Sequence, residues 1–169
     1  HQGRMDDVDC FDQLCDHVLI EDRQSGQVLC CFRFLTLTSG LDIDRSYCAQ
    51  FYDLSGLRSF DGAMVEMGRF CVHPDVTDPD ILRLAWAAMT FYVDRNGIEM
   101  LFGCTSFAGT QAGLYFDTFA FLKARHLGPD RWLPGMKSPN SITFATAADG
   151  GADAKRGLLA MPPLLRTYL

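Results

Sequence analysis

Glu66 and Arg69 are the residues of this chain whose chemistry is hardest to explain as packing. Both fall in the run Val65-Glu66-Met67-Gly68-Arg69-Phe70-Cys71-Val72, which reads as a buried strand. An unpaired charge there is costly. In a regular strand, residues three apart project to opposite faces. A bulge near Gly68 would bring the two closer to one face and free backbone N–H groups beside the carboxylate. That arrangement suits acyl transfer to an amine. Glu66 would take the ammonium proton, and N–H groups near Phe70, Cys71 and Val72 would bind the developing oxyanion. The same pair also reads as a structural ion pair at a sheet edge, and the residues alone leave both readings open.

Other groups could join this chemistry. Asp9, Asp12 and Asp16, with His17, precede the first expected strand and are either solvated or a seat for a cationic amine. Arg33 lies mid-strand between Phe32 and Phe34 and needs a partner, one of those carboxylates or a substrate carboxylate. Cys71 with His73, and Cys104 with Ser106, raise nucleophilic catalysis, but most strand cysteines are inert packing. Cys10, Cys15 and His17 lack a second cluster at zinc spacing, so no metal is expected.

The elements that would position these residues follow from pattern. Residues 17–22 and 27–37 read as two strands joined by a turn at 23–26, and 65–72 as a third ended by His73-Pro74. Cys30 and Cys31 should point to opposite faces. Residues 40–62 suit a loop with a short helix near 49–54. Asp78 as N-cap and Pro79 at the first turn open a helix over 79–95 that is apolar nearly all round and so expected to be largely buried. Asn96-Gly97 stops it. A fourth strand, 98–107, is continuous enough for a sheet centre and would lie parallel to the third. Residues 110–126 look helical, 128–142 form a loop, 147–154 a mobile linker, and 158–169 a last helix.

Length and composition fit one soluble domain: 169 residues, 48% hydrophobic and 21% charged. No apolar run is long enough to span a membrane, and no signal peptide is visible. The start at His1 reads as a fragment, a processed chain or a tag remnant. Seven scattered cysteines without C-x-x-C fit a reducing cytoplasm. The net charge of −6 is polarised, with basic residues concentrated after residue 80, so one side could meet an anionic partner. No nucleic-acid partner is expected.

Several stretches together resemble the ornithine–acyl-[acyl carrier protein] N-acyltransferases, a GNAT-fold family often loosely labelled hemolysin-like. They are Asp9-Cys10-Phe11-Asp12-Gln13-Leu14-Cys15-Asp16-His17-Val18-Leu19-Ile20, Glu66 to Pro74, Gly103-Cys104-Thr105-Ser106-Phe107-Ala108-Gly109-Thr110, and Met161 to Leu169. The skeleton is also similar to the acyl-homoserine-lactone synthases, through Asp9 and Asp12, Arg33, and Glu66 with Arg69. The resemblance implies an α/β fold of GNAT type, three layers with a mixed central sheet. It implies a single acyltransferase domain over 1–169, a fragment lacking the family's first strand and helix and its closing strands.

The resemblance further implies that Glu66 is general base or amine anchor, while Arg69, Arg33, Asp9 and Asp12 order the substrate pocket, with Ser106 and Phe107 also on it. The acyl chain would lie among Phe102, Phe107, Phe116 and Phe119. The reaction implied is transfer of a 3-hydroxyacyl chain to the α-amine of ornithine, giving lyso-ornithine lipid. Another amine or a signalling lactone is the alternative within the class, and a non-catalytic hemolysin-like module the alternative outside it. No tightly bound cofactor is implied, only an acyl-phosphopantetheine thioester.

Acetyl-CoA enzymes of this fold carry a Gln/Arg-x-x-Gly-x-Gly/Ala loop; here 74–80 has no glycine and three aspartates. Carboxylates at a helix entry occupy the anion seat themselves. This favours acyl carrier protein over CoA as donor, docked by Lys123, Arg125, Arg131, Lys137, Lys155 and Arg156. The expected location is cytoplasmic, with peripheral contact at the inner membrane through the lipid product.

Overall fold

A computed structural model describes residues 7–144 and 153–169, so the expected linker lies outside the described residues except at its end. There, Asp153 caps a helix, accepting from the backbone N–H groups of Lys155 and Arg156. The chain forms two compact units, residues 1–50 with 58–104, and residues 51–57 with 105–169.

The first unit is built on a four-stranded mixed sheet in the order β1-β2-β4-β5. Strand β1 is Asp16–Glu21, β2 Val28–Leu37, β4 Met64–Val72 and β5 Met100–Gly103. β1–β2 and β2–β4 are antiparallel, and β4–β5 is parallel across the helix α1, Asp80–Asn96. The β1–β2 turn closes because the Asp22 carboxylate accepts the backbone N–H groups of Gln24 and Ser25 while Gly26 takes φ +70°. Gly97, at φ +59°, ends α1 as its position after Asn96 predicts.

Alternation along β2 divides the unit. Cys30, Phe32 and Phe34, with Val65 of β4, face α1 and pack on Ile81, Ala85 and Met89. Cys30 is fully buried and Cys31 is not, as their opposed faces require. Each buried Phe adds about 2–3 kcal/mol of apolar stabilisation. Only that i, i+4, i+8 stripe of α1 is buried; Leu84 and Phe91 are 53% and 63% exposed. The expectation of an all-round buried helix is therefore corrected: the sheet it covers offers it one face.

Strand β5 is shorter than expected, ending at Gly103, and it stands at the edge of the sheet among the described residues rather than at its centre. A Cβ on Gly103 would come within 2.4 Å of the Met67 carbonyl oxygen, the last pair of the β4–β5 ladder. The loop after β2 carries 3-10 turns at Gly40–Arg45 and Cys48–Gln50.

The second unit contains the short pair β3 (Tyr52–Asp53) with β6 (Gly135–Met136), and the helices α2 (Phe116–Arg125), α3 (Ala154–Ala160) and α4 (Pro163–Tyr168). α2 packs on α3, where a Cβ on Gly157 would meet the Asp117 carbonyl at 2.6 Å. The single last helix expected over 158–169 is two helices, because Pro162 and Pro163 interrupt the hydrogen-bond ladder after Ala160.

Gly103→Ala should displace the end of β5, lowering stability by about 1–3 kcal/mol. Urea unfolding should show this as a lower midpoint at unchanged slope. A midpoint equal to that of the parent protein would show that the ladder ends elsewhere.

Candidate active site

The register between β2 and β4 decides which side chains share a face. Leu35 pairs with Glu66, Arg33 with Gly68, and Cys31 with Cys71. Phe32 therefore stands opposite two residues, Arg69 and Phe70, and the extra residue is a bulge. Arg69 occupies it at φ +54°, the left-handed region that costs a non-glycine residue about 1 kcal/mol or more. The bulge resets the alternation. Phe70 turns to the core side and stacks on Phe32 at 5.3 Å, while Arg69 comes to the face of Glu66 and Arg33. The bulge expected near Gly68 is present one residue on.

Asp9 joins the two arginines. It accepts from Arg33 at 2.7 and 2.9 Å through both oxygens, and its Oδ2 also accepts from Arg69 at 3.0 Å. Asp12 accepts from Arg33 at 2.5 Å, and Asp7 pairs with Arg69. The segment 9–12 is shaped for this: Asp9 Oδ1 accepts the Phe11 N–H and Asp12 Oδ2 the Asp9 N–H. The Phe11 ring covers the guanidinium of Arg33 at 5.6 Å. Hydrogen bonding from Arg33 holds the Asp9 carboxyl well below the usual range, against the opposing effect of burial, and bonding to Asp9 raises Arg33. Arg33, only 4% exposed, thus has carboxylate partners from the chain itself. Asp16 instead accepts from the Tyr92 hydroxyl at 2.6 Å, and His17 Nε2 bonds the Asp12 carbonyl.

Glu66 does not pair with Arg69; the ion-pair expectation for these two is corrected. Its carboxylate, 4% exposed, accepts the backbone N–H groups of Tyr47 at 2.6 Å and Cys48 at 2.7 Å. Nothing in the sequence could signal this clasp, because any residue but proline at 47 and 48 supplies an N–H. Cys15 lies among Glu66, Arg33, Asp9 and Asp12, and burial first, then those carboxylates, raises its thiol. On this face two guanidiniums, Arg33 and Arg69, stand with four carboxylates: Asp7, Asp9, Asp12 and Glu66.

Beyond Met67 the ladder to β5 stops, while Gly68–Val72 continue along β2. Strand alternation directs part of that backbone away from β2, so the edge at Phe70, Cys71 and Val72 presents peptide groups outside the sheet. Cys71 is exposed and faces Cys31 across the ladder; His73 Nε2 bonds Gln27. Asp78 Oδ1 accepts the Asp80 N–H at 2.9 Å, so a carboxylate sits in the entry of α1. Ser106, exposed, and Phe107 belong to the second unit. There the Phe107 ring packs edge-on against Tyr115 and Phe119, and Phe119 stacks on Phe144. Phe116 is exposed, and Phe102 lies in β5. No group of three or more His, Cys, Asp or Glu suited to a metal occurs among the described residues.

Asp9→Ala would leave Arg33 with Asp12 alone and should cost about 3 kcal/mol near neutral pH. A carboxyl whose folded pKa is depressed stabilises fully above its unfolded pKa, about 4, and loses that contribution as pH falls toward the folded value. The difference in urea midpoint between parent and variant should thus hold steady from about pH 5 to 7 and shrink below about pH 4. A gap that widens on acidification would contradict this assignment.

The family model for the acetyltransferase (GNAT) domain matches residues 1–87, just over half of the chain. An L-ornithine N(alpha)-acyltransferase of Rhodobacter capsulatus is 33% identical over all of this chain and 66% of its own length. Proteins of the same name from Agrobacterium fabrum and Brucella abortus are 27% and 28% identical, over 98% and 96% of this chain and 59% and 60% of theirs. The chain spans less than two thirds of the length of these relatives. No solved structure matches it significantly. With its mixed sheet, its β4–α1–β5 crossover and the span of that match, the chain belongs to the GNAT acetyltransferase-domain family.

Proposed function

We propose that this chain carries the core of an N-acyltransferase that moves an acyl group from a thioester donor to the α-amine of ornithine. The observation that carries the reading is the excess of carboxylate on the β2–β4 face beside the open edge of β4. Ornithine brings two ammonium groups, and a face with four carboxylates against two guanidiniums attracts such a cation. The names of the relatives support the same acceptor.

In the reaction the ammonium first gives one proton to Glu66; the neutral amine then attacks the thioester carbonyl, the C–N bond forms, and the C–S bond breaks as the pantetheine sulfur leaves as thiol with the second proton released from the nitrogen. Glu66 anchors the amine and accepts its proton through a lone pair that the two N–H bonds leave over. Backbone N–H groups of the Phe70–Val72 edge stabilise the oxyanion. Asp9, Asp12, Arg33 and Arg69 keep the bulge and the segment before β1 in place.

Acyl carrier protein is the proposed donor. The Asp78 carboxylate already occupies the α1 entry where CoA phosphates would need free N–H groups. The second unit carries Lys123, Arg125, Arg131, Lys137, Lys155 and Arg156, cations suited to an acidic carrier; Arg156 is also paired with Asp117 at 2.5 Å. Among the described residues no helix is long and apolar enough to cross a membrane; peripheral contact with the inner membrane, through the lipid product, is part of the proposal.

The purified protein, given a 3-hydroxyacyl carrier-protein thioester and a panel of amines, should yield a mass equal to N-acylornithine. The matching acyl-CoA should give a lower kcat/KM. Product from other amines but none from ornithine would overturn the acceptor, and a preference for CoA would overturn the donor. Glu66→Gln should lower kcat about 10²–10⁴-fold. Its amide also leaves one of the two N–H groups without an acceptor, a loss of about 1–3 kcal/mol in stability. Full activity in a folded variant would remove Glu66 from the chemistry.

A further inference from the structure

Cys48 and Cys104 are 56 positions apart in sequence, yet their sulfurs lie 3.0 Å from one another in the first unit. Cys104 follows the last residue of β5 and is exposed. Cys48, 4% exposed, opens a 3-10 turn whose place is set by the Glu66 carboxylate, which accepts its backbone N–H. The two thiols are unequal. The hydrogen bond from Cys48 lowers the Cys104 thiol, and the same bond, then burial and the nearby Glu66, raises Cys48. An exposed cysteine whose sulfur lies 3.0 Å from that of a buried partner is the arrangement of a peroxide-reactive cysteine with its resolving cysteine. Neither thiol has a part in the acyl-transfer steps above, where Cys48 enters only through its backbone N–H.

We propose that Cys48 and Cys104 form a site of reversible oxidative modification, in which a hydroperoxide closes them into a disulfide. The Cys104 thiolate attacks the peroxide, cleaving its O–O bond. Sulfenic acid forms on Cys104, and the departing oxygen takes a proton to leave as water or alcohol. The Cys48 sulfur then attacks the Cys104 sulfur; the S–S bond forms, the S–O bond breaks, and the hydroxide leaves as water with the Cys48 proton. Two electrons pass from the thiols to one peroxide, and a dithiol returns them by exchange. Closure to a bond of about 2.05 Å asks the sulfurs to approach by about 1 Å. The cross-link would tie the turn that clasps Glu66 to the end of β5.

Other thiols offer a fair competition. Cys31 and Cys71 are directly paired across β2–β4, and Cys10 and Cys71 are exposed. The full chain is treated with hydrogen peroxide, its remaining thiols are alkylated, and a tryptic digest is read by mass. The expected result is one linked species joining residues 46–58 to residues 96–123, lighter by two hydrogens than the sum of the free peptides, and lost after dithiothreitol. In Cys48→Ser, Cys104 should be trapped instead as a dimedone adduct of its sulfenic acid, and in Cys104→Ser the link should vanish. Complete recovery of both peptides as separate alkylated species would overturn the proposal, as would a link confined to Cys31 and Cys71. The readout is a mass, so it stands or falls separately from the acyl-transfer reading.

Discussion

Arg33 and Glu66 occupy the same face of adjacent strands, both nearly out of solvent, and each finds its partners elsewhere than in the other: Arg33 in carboxylates, Glu66 in backbone N–H groups. Burying an ion is tolerated only when its hydrogen-bonding capacity is filled nearby. For Arg33 this recruits the segment before β1, with Asp9, Asp12 and the Phe11 ring. For Glu66 it recruits the turn after β2, through the N–H groups of Tyr47 and Cys48. Two stretches of chain that form no part of the sheet are thereby drawn onto its face opposite α1.

The bulge at Arg69 follows from the same constraint. A second guanidinium reaches Asp9 only if β4 gains a residue and its alternation is reset, and the left-handed backbone at Arg69 is the local cost. The two ion pairs that Arg69 makes offset that cost. The reset also turns Phe70 into the core, so one extra residue serves the packing beneath the sheet and the charge pattern above it. Where β5 ends at Gly103, no described strand pairs with the continuing edge of β4 beside this charged face. One local distortion in the central strand thus sets both the packing of Phe70 and the charge pattern of the opposite face.

Glu66 is tied into the turn at 47–48, and that turn also brings Cys48 to Cys104. The catalytic proposal and the thiol pair therefore meet at one element while resting on different atoms. A perturbation of the turn would reach both.

Much of this was legible in the sequence. Runs of apolar and aromatic residues place β1, β2 and β4 within a residue of their ends, Asn96-Gly97 and the turn at 23–26 mark their own stops, and the charges at Glu66, Arg69 and Arg33 stand out because they interrupt apolar strands. Such signals are local, since they depend on backbone propensity and on the type of a single side chain. Which carboxylate meets which guanidinium was not legible, and Glu66 and Arg69 proved to have separate partners. Nor could the sequence show that α1 buries one stripe, because apolar residues are necessary for burial but the facing surface sets its width. The Tyr47–Cys48 clasp and the Cys48–Cys104 contact depend on backbone amides and on atoms 56 positions apart, which carry no sequence signature. Chain composition determined which strand would hold the buried charges; only the tertiary register decided what would satisfy them, because an ion pair depends on distance in space and not on spacing along the chain.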